Sequence, residues 1–362
     1  MTKPGMIITG ATGFLGGRLI KHCCQHYRVY SIARRPQRFT GIPEGAEIVW
    51  FKADIADSGS LQEVFSRIRE AGGAELLVHL AGYYDFTGQD NVDYFRTNVL
   101  GTRNVLDLSV PLHLRRFYFT SSIAACPFPP AGEAITEDTP PTAPPPYSRS
   151  KRLGEELLQQ YADTVPSCIL RLAAIFSNWC EYEPLFNFIE TWFSGRWNAR
   201  ILGGRGEWAI PYLHVRDLLP FLMRAIDMAD ELEPLEVLQA SPNGCTSHLA
   251  LFHAATKCQY GAPLEPIYVP KPAAQLGIKM REAWGHVTGK MPFERSWMGE
   301  YIDLQLNVDA TRTHQRLGWA PDPSRDILKC MPYMVHNRLV DPAEWRLRFE
   351  QSRKGKHLDT AR

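Results

Sequence analysis

Short apolar runs alternate with longer stretches whose apolar residues recur every three or four positions. The runs Met6-Ile7-Ile8, Val29-Tyr30-Ser31-Ile32-Ala33, Ala46-Glu47-Ile48-Val49-Trp50-Phe51, Leu76-Leu77-Val78-His79-Leu80, Arg116-Phe117-Tyr118-Phe119-Thr120 and Ser167-Cys168-Ile169-Leu170-Arg171-Leu172 predict buried strands. Between them, Arg18 to Cys24, Ser60 to Ala71, Tyr94 to Ser109 and Tyr147 to Tyr161 predict helices; Leu61, Val64, Phe65 and Ile68 share one helical face. This alternation predicts an α/β fold, a doubly wound parallel sheet with right-handed crossovers. In such sheets ligands lie beyond the carboxyl ends of the strands.

The first strand runs into Thr9-Gly10-Ala11-Thr12-Gly13-Phe14-Leu15-Gly16. Strand, glycine turn and helix in that order make a Rossmann-type dinucleotide-binding start. Gly10 permits the tight turn, Gly13 lets backbone N–H groups approach a pyrophosphate, and Gly16 lets the helix pack close to the strand. The helix N-terminus then turns its positive dipole end to the phosphates.

From about Asn178 the alternation is lost. Trp179 to Trp208 is rich in aromatic residues, and His214-Val215-Arg216-Asp217 opens a further helix. Residues 1–177 are therefore read as the dinucleotide-binding unit, with a return segment over 210–240. Residues 178–209 and 241–335 are read mostly as a smaller substrate-binding lobe, with returns to the sheet, and 336–362 as a charged C-terminal tail, frayed from Trp345 onward. The Pro140 to Pro146 stretch reads as a stiff loop entering the next helix.

Composition adds little. The formal net charge of +1 over 362 residues gives no reason to expect nucleic acid or a membrane as partner. The 8 cysteines include no Cys-x-x-Cys, so neither a metal site nor a disulfide framework is expected and the thiols are read as reduced. A first strand beginning by Met6 leaves no room for a signal peptide, and no apolar run suits a membrane helix; the expected compartment is the cytoplasm.

The candidate chemistry sits on Tyr147, Lys151 and Ser122. Tyr147 and Lys151, four apart, share a helical face, and no other Tyr in the chain has a Lys at that spacing. The pair opens the helix after the fifth strand, and Ser121-Ser122 closes that strand at its carboxyl end. A helix-surface pair and a turn-capping serine are the plain alternatives.

Together with Asp54-Ile55, His79-Leu80-Ala81-Gly82, Asn98-Val99-Leu100-Gly101-Thr102, Thr120-Ser121-Ser122 and Leu317-Gly318-Trp319-Ala320-Pro321, these motifs resemble the extended short-chain dehydrogenase/reductase family. The flavonoid-reductase-like and hydroxysteroid-dehydrogenase-like branches of the epimerase/dehydratase superfamily match best. The resemblance implies Tyr147 as proton donor, Lys151 as its cationic neighbour and ribose ligand, and Ser122 as hydrogen-bond donor to the developing alkoxide. It places the cofactor against Gly10, Thr12, Gly13, Phe14, Leu15, Gly16, Arg34, Arg35, Asp54, Ile55, Leu80, Ala81, Gly82, Asn98, Thr120, Tyr147, Lys151 and Leu172. Asn98 equally suits a helix asparagine satisfying a buried backbone group. The second strand ends in Arg34-Arg35-Pro36 with no carboxylate, which suits the 2′-phosphate of NADP.

Departures from the family narrow the substrate. Ala174 stands where nucleotide-sugar epimerases carry Asn, and Ile210 where they carry a diphosphate-binding Arg. Ser122-Ile123-Ala124 lacks the acid–base pair of the sugar dehydratases. The expected function is NADPH-dependent reduction of an apolar carbonyl compound, or oxidation of the corresponding alcohol. A nucleotide-sugar epimerase and a non-catalytic NADP sensor are the rivals. Substrate contacts are expected from Tyr84, Phe86, Ser122 and Tyr182, with Tyr83, Phe128, Trp179, Phe186 and Trp208 as further candidate lining; His214 is read as structural. A homodimer is what the resemblance implies.

Overall fold

The computed structural model describes residues 3–357. Strands β1 (Gly5–Thr9), β2 (Arg28–Ala33), β3 (Ile48–Lys52), β4 (Leu76–His79), β5 (Arg116–Ser122) and β6 (Ser167–Leu172) join the strand Leu235–Ala240 in one parallel sheet. Its order is β3-β2-β1-β4-β5-β6 followed by 235–240. Both faces are covered, which is why the strands read as continuous apolar runs. Successive residues feed opposite cores. Met6, Ile8, Leu76, Val78, Cys168 and Leu170 pack toward one, Ile7, Leu77, Phe117, Phe119 and Ile169 toward the other.

The first face is covered by α1 (Gly16–Cys23) and α6 (Val215–Asp227), the second by α2 (Ser58–Glu70), α3 (Gly101–Ser109) and α4 (Pro146–Gln160). Asp57 caps α2 by accepting from the Gly59 and Ser60 amides. Pro146 opens α4 at a position where its missing N–H costs no helical bond.

A third core is gathered from segments far apart in the chain. Ile123 and Ile135, residues of α5 (Glu183–Trp192) and α7 (His248–Tyr260), Leu306 and Val308, and residues of α10 (Ile327–Val340) all enter it. α8 (Lys271–Thr288) and α9 (Thr311–Leu317) complete the second half.

One expectation is corrected. The C-terminal segment forms α11 (Pro342–His357) rather than fraying at Trp345, whose ring is 1% exposed and stacks 5.5 Å from Phe186. Its indole donates to Glu190 (3.2 Å), and Phe349 of the same helix stacks on Phe186, so two aromatic residues anchor an otherwise charged helix; the last part of the expected tail, 358–362, lies outside the described residues. Leu317 and Trp319 form a return to the sheet, with Trp319 against Phe221 at 5.0 Å. Among the described residues no helix is long and apolar enough to cross a membrane, no metal-binding group of His, Cys, Asp or Glu is found, and the cysteines are unpaired.

Candidate active site

β1, β4, β5 and β6 end at one edge, and the residues singled out in sequence gather there. Gly10 takes a positive φ of 68°, and a Cβ on it would lie 2.7 Å from the Ala81 amide. A Cβ on Gly16 would lie 2.4 Å from the Gly10 carbonyl, so only glycine lets α1 start this close to β1. Leu15 at the N-cap offers no side-chain acceptor, and the first turn of α1 carries no acidic residue. The positive end of α1 is thus left for an anion, and the exposed Gly13 lies in front of it. Phe14 lies under the Arg18 guanidinium at 4.0 Å.

At the end of β2 Arg34 is exposed, while Arg35 bends back to donate to the Thr12 carbonyl at 3.0 Å. Burial and Arg34 lower the Arg35 pKa. Asp54 accepts from the Ala56 amide (3.0 Å) and pairs with Arg96 at 2.5 Å. Ile55 is buried beneath Gly101.

The loop after β4 is pinned from below. The Leu80 amide donates to the Thr9 carbonyl and the Ala81 amide to the Thr9 hydroxyl, each 3.3 Å. His79, fully buried between Thr9 (2.8 Å) and Thr102 (3.1 Å), is pushed down to about 3 by burial. Asn98 donates to the Tyr83 carbonyl (2.9 Å) and to the Ser150 hydroxyl (2.8 Å), and its Oδ1 accepts from the Tyr83 amide (2.6 Å). It sits in a π-helical turn, Tyr94–Leu100, a rare local form often associated with functional sites. Asn98 therefore does satisfy buried backbone, and in doing so ties the loop to the helix carrying Tyr147.

Lys151 donates to the Thr120 carbonyl at 2.8 Å, with its ammonium 5.8 Å from the centre of the Tyr147 ring and beside Gly82. Thr120 is fixed by donating to the His79 carbonyl at 2.8 Å. Ser122, paired across the sheet with Leu172, lies near the Tyr147 phenol and also caps the turn at Ile123 by accepting from the Ala124 amide (3.2 Å). The capping role and the contact with Tyr147 coexist. Burial pushes the Tyr147 phenol up to about 12, opposed by Ser122. Burial pushes the Lys151 ammonium down to about 8, opposed by Glu155. At neutral pH the site holds a neutral phenol beside a cation. His214 is structural: its Nδ1 accepts from the Arg216 amide (3.2 Å) at the start of α6, and burial lowers it to about 4.

Of the expected lining, Tyr84, Phe86 and Tyr182 meet at Tyr147. The Tyr84 ring lies 4.4 Å from Tyr147, Phe86 4.5 Å from Tyr84, and Tyr182 6.0 Å from Phe86. The other candidates are placed differently. Phe186 stacks on Phe349 at 3.7 Å, Trp179 lies under Arg348, Phe128 packs on Tyr301 and Trp208 on Phe188. Tyr83 turns to donate to Asp85 at 2.6 Å. Two rings that sequence reading missed join the cluster: Phe293, 5.9 Å from Phe86, and Tyr212, 6.0 Å from Tyr182. The Tyr212 hydroxyl is buried without a hydrogen-bond partner. Ile210, two residues earlier, is buried and paired with Thr246.

A model of the NAD dependent epimerase/dehydratase family matches residues 6–241. The chain belongs to that family. Among its curated members, a Synechocystis protein provisionally named dihydroflavonol 4-reductase is 34% identical over 122 residues, 33% of this chain and 32% of that one. The 3 beta-hydroxysteroid dehydrogenase/Delta 5-->4-isomerase of vaccinia virus (strain Copenhagen) is 28% identical over 201 residues, 49% of this chain and 54% of the viral one. The matched region thus spans about a third to a half of these relatives. Among solved members of the epimerase/dehydratase family, dTDP-glucose 4,6-dehydratase of Bacillus anthracis in complex with NAD superposes with a TM-score of 0.69 at 17% identity, over 94% of this chain and 98% of that one. UDP-glucose 4-epimerase of Thermotoga maritima with UDP-glucose gives 0.66 at 19%, over 92% and 97%. At these identities the likeness is one of fold.

Proposed function

We propose that the protein is an NADP-dependent carbonyl reductase, working in reverse as an alcohol dehydrogenase, on a largely apolar small molecule. The observation that carries this reading is Tyr147 beside Ser122, with the Lys151 ammonium 5.8 Å from the centre of its ring and the Tyr84 ring 4.4 Å away. Tyr147 delivers its proton to the substrate oxygen, and Ser122 donates a hydrogen bond to the same oxygen as negative charge develops. The Lys151 cation favours the phenolate left behind. The aromatic cluster excludes water, and the unpartnered Tyr212 hydroxyl offers a polar contact.

The residues present fit a nicotinamide dinucleotide. The α1 N-terminus behind Gly10, Gly13 and Gly16 would hold the pyrophosphate, with Thr12, Phe14 and Leu15 beside it. Leu80, Ala81, Gly82, Thr120 and Leu172 would flank the nicotinamide half, and Lys151 its ribose. Arg34, assisted by Arg35, would hold a 2′-phosphate; Asp54 and Ile55 would lie on the adenine side. When bound, the nicotinamide supplies the hydride.

The second reading, a nucleotide-sugar epimerase, is favoured by the solved neighbours, which include a UDP-glucose epimerase and a dTDP-glucose dehydratase. Against it stands Ile210, an apolar, buried, strand-paired residue where that reading needs a guanidinium. The relatives named as a flavonol reductase and a hydroxysteroid dehydrogenase support the first. The test is product formation with NADPH across apolar ketones, aldehydes and nucleotide sugars. Reduction of apolar carbonyls, lost by two or more orders of magnitude in Tyr147→Phe while NADPH binding persists, supports the proposal. Conversion of nucleotide sugars alone supports the epimerase, and cofactor binding with no turnover supports a sensor.

A further inference from the structure

The outer face of α8 is apolar from end to end. Ala273, Leu276, Met280, Ala283, Trp284 and Val287 recur at the three- and four-residue spacing of a single stripe about 21 Å long. Leu276 is 60% exposed, Met280 64%, Trp284 68% and Val287 79%. The helix is held to the protein by its opposite side. Gln275 donates to the Gly299 carbonyl (3.1 Å), Glu282 accepts from the Ser296 amide (2.8 Å), and Gly285 is buried against Pro292. The stripe is therefore displayed by a helix whose docking is already complete, and contiguous exposed apolar surface of this kind marks an interaction site.

Charge says what the stripe meets. Around the helix axis Lys279 falls on one edge of the stripe and Arg281, which also pairs with Glu294 at 3.4 Å, on the other, and Lys290 follows just past the Gly289 cap of the helix. The one carboxylate of 271–290, Glu282, is on the inner face, engaged with Ser296 and Arg295. An apolar face bearing Trp and bordered by cations is the pattern of a helix lying in a lipid interface. We propose that α8 docks the protein on an anionic bilayer, lying parallel to its surface with Leu276, Met280, Trp284 and Val287 at the acyl boundary. The charges within it keep it from crossing. A second copy of the chain is the less suitable occupant: antiparallel pairing of two such stripes sets Lys279 of each against Lys279 of the other. The chain then runs from α8 to Phe293, which packs on Phe86, and to Trp297, which covers Gly88. The docking helix is thus continuous with the outer wall of the aromatic cluster. The docking stands whichever reaction the site performs.

Flotation with vesicles of phosphatidylcholine, alone and mixed with phosphatidylglycerol, tests this on the full chain. The protein is expected to float with the mixed vesicles and to be released as salt rises. Met280→Glu/Trp284→Glu should lower partitioning at least about tenfold. Lys279→Glu/Lys290→Glu, which leaves the stripe intact, should weaken binding to the mixed vesicles only. Thermal melts show that each variant is folded. Absence of flotation, or flotation unchanged in both variants, overturns the proposal. So does a concentration-dependent doubling of mass that Met280→Glu/Trp284→Glu abolishes, which would make the occupant a second copy.

Discussion

Replacing Glu155 by Gln removes the one carboxylate that, among the described residues, forms an ion pair with Arg171. Arg171 and Glu155 are 3% and 2% exposed and bonded twice, Nη2 to Oε2 at 2.8 Å and Nε to Oε1 at 3.1 Å. Ser121 donates to the same carboxylate at 2.5 Å, and Arg171 also donates to the Thr139 carbonyl at 2.8 Å. Breaking such a pair from one side costs about 3–5 kcal/mol, because the remaining ion stays buried. With an unfolding entropy near 2.1 cal/mol/K per residue, a chain of 362 residues unfolding as one unit should lose about 4–7 °C in Tm. The double variant Glu155→Leu/Arg171→Met should lose less than the two single variants summed, by about 1–3 kcal/mol. Scanning calorimetry of the parent, Glu155→Gln, Glu155→Leu, Arg171→Met and the double variant measures both quantities. A second readout concerns Lys151, whose cation Glu155 supports. Carbonyl reduction should fall as pH rises through about 8, where Lys151 loses its proton, and Glu155→Gln should move that limb to lower pH. A Glu155→Gln variant within about 1 kcal/mol of the parent, with an unmoved limb, would refute the reasoning.

Arg34→Ala should weaken NADP binding at least about tenfold and NAD hardly at all, with Arg35→Ala doing less because its guanidinium is turned to Thr12; dissociation constants for both cofactors check this, and an unmodified protein preferring NAD would remove Arg34 from the site. His79 is held neutral down to about 3 in the folded protein, whereas the unfolded chain protonates it near its ordinary 6.5. Its contribution is therefore full above about 6.5 and is lost as pH falls toward 3, with a limiting slope of about 1.4 kcal/mol per pH unit. Urea unfolding of the parent and of His79→Gln at pH 7 and pH 5 isolates it; equal pH dependence in the two would count against it.

The sheet and the edge that carries Tyr147 and Lys151 were legible because their signals are local. Buried strands are continuous apolar runs, and Tyr147 and Lys151 lie one helical turn apart. Phe293 and Tyr212 were not, since their approach to Phe86 and Tyr182 depends on how the second half of the chain folds back. Arg96 was missed because nothing beside it in sequence predicts that a π-helical turn will aim it at Asp54. A usable signal for Arg171 was present: a charge in the middle of an apolar run destined for a central strand requires a buried partner. The overall net charge of +1 hid the basic borders of α8, because a sum carries no position. Trp345 and Phe349 stood in a charged helix whose composition argued for solvent, and two buried rings one turn apart outweighed their neighbours.

The third core has a consequence for how this architecture can diversify. Its walls come from residues near 123–135, 176–192, 202–212, 249–255, 306–310 and 327–349, interleaved with segments that serve the sheet. No single cut separates the part that would select a substrate from the part that would hold the dinucleotide, and no contiguous fragment carries the former away intact. Recombination at one crossover would exchange half of each. New specificities in such a chain are therefore reached by point changes along several loops, or by short insertions between elements, and a chimaera joined at one seam inherits two incomplete cores.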